Sequence, residues 1–441
     1  MKPPSLIFYG FLGLPLAMVS LPLYMQLPAF YSNQFGLSLS SIGYVLFAAR
    51  LLDTMQDPIF GGLISRLGLH KSIWYIAAAI AISFSFAALW LPPYHSLSSS
   101  VALLTWLALM LYVAYSAHSV LNIAYLSWGA ALDQRSGDNA GPQKTGNSLL
   151  GAATWREAFA LFGVIVASIV PSLITDTAAQ ASDLRSTGFL WYSVSFVLIL
   201  AAAVYCLLRF APRPTVGRST EFGKGLLGEL QMVVKDKLAR PLFIAYLMNS
   251  LAIALPASLM IFFVERQIGN AEKLPQFLVS YFLAGACGLP IWLKAAQRLG
   301  SLIVWQFSLL MAITAFVGAA FLSHGDVLAY TIICITSGLC LGADLVLPPV
   351  LLAERIQAEH RQASYFGIWT FLGKIALACS GLSLPLMSYL ENKAWLSAAS
   401  QGVVDNIALV LCYALIPCAL KLSTFICLIG IRTPSPASSY T

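Results

Sequence analysis

From residue 6 to residue 431 the sequence returns repeatedly to apolar runs of about 20 residues or more, separated by short polar stretches. A run of that length crosses a hydrocarbon core of roughly 30 Å as an α-helix, and a backbone with no water around it must satisfy its own hydrogen bonds. The pattern predicts an all-α polytopic membrane protein. The runs cover residues 6–33, 39–65, 72–92, 101–132, 146–174, 187–210, 241–264, 275–297, 301–323, 327–354, 364–390 and 404–431, so twelve transmembrane helices are expected. Charge is correspondingly scarce: Asp, Glu, Lys and Arg make up 10% of the chain, against about 25% in a soluble domain.

Short cytoplasmic loops of membrane proteins carry the excess of Lys and Arg. With the N-terminus inside, 17 basic residues fall in cytoplasmic segments and 4 (Arg185, Arg266, Lys273, Lys393) in outer loops. Both termini are therefore expected in the cytoplasm, and the net charge of +7 reports topology, leaving no basic domain to bind nucleic acid. The chain lacks any Asn-x-Ser/Thr acceptor, which favours a plasma membrane outside the glycosylating pathway, such as a bacterial inner membrane. The first run is too long for a signal peptide and no cleavage site ends it, so it reads as a retained helix. All eight cysteines lie inside the runs without metal-ligand spacing and read as packing residues. The five histidines are scattered, and neither H-E-x-x-H nor G-x-S-x-G occurs. An enzyme would need a nucleophile with its base, or a metal cluster. Neither an enzyme nor a resident cofactor or metal is expected.

The longest polar stretch divides the runs six and six. The expected organisation is a six-helix bundle over 1–210, a cytoplasmic linker over 211–240, a second six-helix bundle over 241–431 and a tail over 432–441. Within the linker, residues 228–238 suit an amphipathic surface helix. The second run ends PIFGGLISRLG (Pro58 to Gly68) and the eighth ends PIWLKAAQRLG (Pro290 to Gly300), so Pro-Ile and Arg-Leu-Gly recur at one separation. Parallel repeats of six helices are the architecture of major facilitator transporters. Gly61, Arg66, Gly68 and Lys71 also resemble that superfamily's gating loop, with Ser65 in place of its acidic residue and His70 in place of a base.

The stretch RLLDTMQDP puts Arg50, Asp53 and Asp57 at i, i+3 and i+7 within an apolar run. An ionised group at the bilayer centre costs about 2.5 to 3.5 kcal/mol on insertion scales, and such residues mark ion or substrate pathways. Two carboxylates one helical turn apart repel in a low dielectric unless a cation or proton lies between them. That is the property of a coupling-ion site. Arg50 is a charge partner that neutralises one of the two, Gln56 offers a neutral oxygen beside Asp53, and Pro58 releases a backbone carbonyl one turn earlier. The plainer alternative is that the ladder only locks helix packing.

RLLDTMQDPIFGGLISR resembles the second-helix signature Arg-x-x-Asp-x-x-x-Asp-Pro of the glycoside-pentoside-hexuronide:cation symporter family, the melibiose permease-like branch of the major facilitator superfamily. Further stretches resemble the same family: Tyr9-Gly10-Phe11, NIAYLSWGAAL from Asn122, REAFALFG from Arg156, YLMNSLAIALPASLMIFFVE from Tyr246, GADLVLPPVLLAE from Gly342 and YFGIWTFLGKIALA from Tyr365. The resemblance implies cation ligation by Asp53 and Asp57, with Gln56 in place of the usual Asn and Ser119 in place of a Thr. It implies substrate contacts by Arg156 and Lys374. It also shows departures: the family's two sugar-binding carboxylates fall on Ala17 and Asn122, and its stacking tryptophan falls on Leu126, with Trp128 displaced by two.

The implied function is symport of a small organic solute coupled to H+ or Na+, by a protein working as a monomer in the bilayer. Loss of both sugar carboxylates with retention of Arg156 and Lys374 makes the expected site more cationic, so the expected solute is a glycoside, a uronide or another anionic or sugar-like compound; a lipid or lysolipid carrier of the same broad family is the alternative. Asp344 is expected to pair with Lys374 or Arg156. Glu157, next to Arg156, is expected to point about 100 degrees away around the helix. Lys421 and Lys294 are expected to reach the headgroups, and Trp74, Trp90, Trp191 and Trp292 to anchor at the interfaces.

Overall fold

The computed structural model describes residues 3–67, 72–93, 99–132, 142–177, 182–212, 226–356, 361–380, 383, 390 and 407–430. Among them there is no strand. The helices are α1 (Pro3–Gly10), α2 (Gly13–Phe35), α3 (Leu39–Leu67), α4 (Ile73–Trp90), α5 (Ser100–Ala131), α6 (Pro142–Thr177), α7 (Ser182–Phe210), α8 (Leu226–Lys235), α9 (Arg240–Phe263), α10 (Leu274–Leu299), α11 (Ser301–Ala319), α12 (Val327–Arg355), α13 (Gln362–Ser380), α14 (Ile407–Val410) and α15 (Ile416–Ile429). Nine stretches among the described residues are long and apolar enough to cross a membrane. The short helix α8 occupies the linker region, and residues 213–225 of that region lie outside the described part.

The chain forms two compact units: Met1–Val233 with Ile356–Phe371, and Val234–Arg355 with Leu372–Thr441. Linear order does not reveal why Ile356–Phe371 joins the first unit. Within that unit α3 and α13 approach closely at two glycines. A Cβ on Gly61 of α3 would lie 2.5 Å from the Ala363 carbonyl oxygen and 2.9 Å from Gly367 Cα, and a Cβ on Gly367 would lie 2.8 Å from the Asp57 carbonyl oxygen. Only two glycines let the backbones of α3 and α13 approach so far, which is how helices without a hydrophobic driving force between them gain van der Waals contact. The same device packs α2 on α6, where Gly163 faces the Leu14 carbonyl.

Aromatic rings fill the remaining interior of each unit. In the first, Trp90 stacks on Phe189 at 4.8 Å and Phe86 on Phe196 at 3.9 Å. In the second, Phe263 stacks on Tyr413 at 4.0 Å, and Tyr413 shares a 2.7 Å hydroxyl hydrogen bond with Tyr330. Both rings of the stack lie at π-helical turns, Val264–Ile268 and Leu411–Leu415. Trp90 and Trp292 are therefore not interfacial anchors: Trp90 belongs to this packing and Trp292 donates to the Leu339 carbonyl at 2.7 Å, whereas Trp191 is exposed. A tryptophan at a helix end is drawn inward wherever a ring or a carbonyl awaits it.

Candidate functional site

Helix α3 is two-faced. Leu51, Leu52, Met55, Ile59 and Leu63 are exposed at helical spacing, and Asp53, Thr54 and Asp57 are turned inward. Asp53 is 2% exposed and Asp57 0%. Helix α5 meets the inward face with two serines three residues apart. Ser119 Oγ donates to Asp53 Oδ1 at 2.8 Å, and Gln56 Nε2 donates to Ser116 Oγ at 2.8 Å. Arg50 lies 3.8 Å from Asp53 Oδ2, its guanidinium 4.9 Å from the centre of the Tyr115 ring. Pro58 lies inside α3 and has no N–H to donate one turn back.

The structure puts Ser119 and Arg50 on Asp53, and Asp57 is buried one turn further along α3. It turns Gln56 to Ser116 rather than to Asp53: residues three apart on α3 meet residues three apart on α5, and the Gln56 amide finds its own serine one turn along. Ser116 carried no signal of this beyond its spacing from Ser119.

On α6, Arg156 Nε and Nη2 both donate to Glu157 Oε1, at 2.8 and 2.6 Å. This corrects the expectation that Glu157 points away. Adjacent helical residues diverge at Cβ, yet the long Arg and Glu side chains can curl round the helix surface to meet, and a low dielectric rewards it. Beneath Arg156, Tyr9 of α1 and Tyr125 of α5 exchange hydrogen bonds, each hydroxyl donating to the other's carbonyl, at 3.0 and 2.7 Å.

Asp344 pairs with neither Lys374 nor Arg156. Lys421 Nζ of α15 donates to Asp344 Oδ2 at 2.8 Å and to Asn249 Oδ1 of α9 at 3.0 Å, while Trp305 Nε1 of α11 donates to Asp344 Oδ1 at 2.8 Å. Lys421 is buried with its partner instead of reaching the headgroups. A charge-assisted bond to a fixed carboxylate outweighs hydration that the ammonium would have to travel to find. Asn249 and Trp305 were missed by sequence reasoning, because neither carries a charge to mark it.

Lys374 is half-buried on α13, in the portion belonging to the second unit. Asn122 is half-buried one turn beyond Ser119 on α5. Trp128 is buried, edge-to-face on Tyr75 at 5.3 Å, with its Nε1 donating to the Pro212 carbonyl at 2.8 Å. Of the gating-loop residues, Gly61 forms the α3–α13 crossing and Arg66 sits in the last turn of α3. Gly68 and Lys71 lie outside the described residues.

The long apolar helices define an integral multi-pass membrane protein, and α3 and α15 carry buried charge into it. Residues 8–433 match the model of the MFS/sugar transport protein family, and the chain belongs to that family. It is 22% identical over 410 residues to an uncharacterized symporter of Bacillus subtilis (strain 168), covering 88% of this chain and 84% of that one. Solved structures that share the fold include two transporters. One is a bacterial homologue of the iron transporter ferroportin in an outward-facing state, with a TM-score of 0.71, 15% identity and coverage of 97% of this chain and 99% of that one. The other is the E. coli fucose:proton symporter, with a TM-score of 0.67, 16% identity and 98% of each chain covered.

Proposed function

We propose that the protein is a cation-coupled symporter of a small, sugar-like organic solute, with the coupling cation held at Asp53 and Asp57. The observation that carries this reading is the buried ladder on α3: two carboxylates one turn apart, 2% and 0% exposed, with a hydroxyl from α5 on one of them. Such a group is stable in a membrane only when charge-compensated, so loading and unloading a cation changes its energy in a way the protein can couple to substrate. The orientation of Gln56 favours a proton over sodium. Sodium needs several neutral oxygens around the carboxylates, and the amide that was the nearest candidate is taken up by Ser116. Arg156, Asn122 and Lys374 are each assigned as substrate-contacting residues. The Lys and Arg asymmetry supports cytoplasmic termini, and the lack of an Asn-x-Ser/Thr acceptor supports a bacterial inner membrane.

The test is uptake of radiolabelled methyl glycosides and methyl glycuronides by vesicles reconstituted with the protein. An inward pH gradient without sodium is expected to drive accumulation, and Asp57→Asn to abolish it. Accumulation only with sodium would overturn the proton assignment. Accumulation indifferent to both gradients, or intact in Asp57→Asn, would overturn the cation site.

A further inference from the structure

The sequence suggests a cationic substrate site, because Arg156 and Lys374 are kept where two sugar-binding carboxylates are lost. The geometry at Arg156 changes that count. Two donors of its guanidinium converge on Glu157 Oε1 at 2.8 and 2.6 Å, and the two side chains are only 11% and 14% exposed. In such surroundings the attraction between them is much stronger than in water. A substrate carboxylate reaching for Arg156 has to displace an acceptor tethered on the neighbouring residue, whose effective concentration no dissolved anion approaches. It would also stand beside the negative charge of the displaced Glu157.

The pair nevertheless has bonding capacity left. Among the described residues Glu157 Oε2 accepts no hydrogen bond, and it is not shut away from solvent. An ionised carboxyl oxygen accepts strongly from a hydroxyl, about twice as well as a neutral acceptor does. Arginine and glutamate together thus offer a donor fork and an anionic acceptor with no net charge. That combination fits a neutral, hydroxyl-rich solute and penalises an anionic one.

We propose that Glu157 determines the charge selectivity of transport: by capping Arg156 it excludes carboxylate-bearing solutes, and through Oε2 it accepts hydrogen bonds from the hydroxyls of a neutral glycoside or other polyol. This deepens the symporter reading and rests on Arg156 facing the substrate. Glu157 supplies the anionic acceptor that the neutral Ala17 and Asn122 lack.

The experiment compares matched pairs, methyl glucoside with methyl glucuronide and methyl galactoside with methyl galacturonide, by thermal stabilisation of the purified protein and by vesicle uptake. The wild type is expected to prefer a neutral member over its uronide partner, and Glu157→Gln to move that ratio at least tenfold toward the uronide. Glu157→Asp, which keeps the carboxylate, is expected to retain the neutral preference and controls for damage to folding. A wild type that prefers a uronide, a ratio unmoved in Glu157→Gln, or the absence of binding by any member of the four would overturn the proposal; the first of these needs no variant. The symporter reading fails by a different readout: uptake of the preferred member that ignores the cation gradients leaves the charge ratio to judge Glu157 by itself.

Discussion

Replacing Lys421 by Met tests the buried centre of the second unit. Methionine fills much of the lysine volume, so packing is largely kept and the loss is electrostatic. In the native arrangement Asp344 receives Lys421 at 2.8 Å and Trp305 at 2.8 Å, and Lys421 also supplies Asn249 at 3.0 Å. Lys421→Met leaves Asp344 buried with one neutral donor and strips Asn249 Oδ1 of its partner. Breaking a buried ion pair from one side costs about 3 to 5 kcal/mol, and for a folding unit of roughly 200 residues each kcal/mol moves the midpoint by about 2 to 4 °C. The expected fall in melting temperature is thus about 6 to 20 °C, read in detergent by scattering or a thiol-reactive dye. The double replacement Asp344→Leu with Lys421→Met removes both charges, and exchanging a buried pair for apolar residues is often neutral or stabilising. It is expected to recover most of that loss. Equal melting temperatures for Lys421→Met and the double variant would show that the two residues are not coupled, and the pair would then have no stake in the fold of this unit.

Three further outcomes follow from particular contacts. Ser119→Ala removes a hydrogen bond that favours the ionised form of a buried carboxylate, worth about 1.5 to 3 kcal/mol, so for a coupling proton the half-saturating concentration in uptake assays is expected to fall by roughly ten- to a hundredfold; an unchanged value would remove Ser119 from the site. Gly367→Ala places a methyl 2.8 Å from the Asp57 carbonyl oxygen, whereas Gly43→Ala meets open space; the first is expected to lower the melting temperature by several degrees and the second to leave it unchanged or raise it, and equal effects would refute the close crossing of α3 and α13. Trp128→Phe keeps the ring on Tyr75 but loses the bond to the Pro212 carbonyl, so stability is expected to fall by about 1 kcal/mol with substrate affinity within twofold; a tenfold loss of affinity would return Trp128 to the substrate site.

What the sequence disclosed here depended on how far apart in the chain the interacting residues are. The fold class followed from apolar length alone, because a bilayer permits a single solution for a long apolar run without alternation. The ladder Arg50–Asp53–Asp57 was legible because i, i+3 and i+7 share a helix face, and Ser119 became visible only through resemblance to known symporters. The i, i+1 pair of Arg156 and Glu157 was misjudged because Cβ direction was taken for side-chain direction, which fails for two long charged side chains when both are withdrawn from water. Asp344 and Lys421 are 77 residues apart and Lys421 and Asn249 are 172 apart, a separation at which periodicity says nothing and only the demand that a buried charge find a partner remains. That demand narrows the choice to a few opposite charges without selecting one, which is why Lys374 and Arg156 were nominated for Asp344 and Lys421 was not. Lys421 differs from them in one physical respect that the chain does reveal. It lies on the same helix as Cys418 and Thr424, at spacings of three, and all three are buried. A lysine in the middle of a stripe of small polarisable residues sits on the packed face of its helix, where its stem has no route to the headgroups and its ammonium must be met from within.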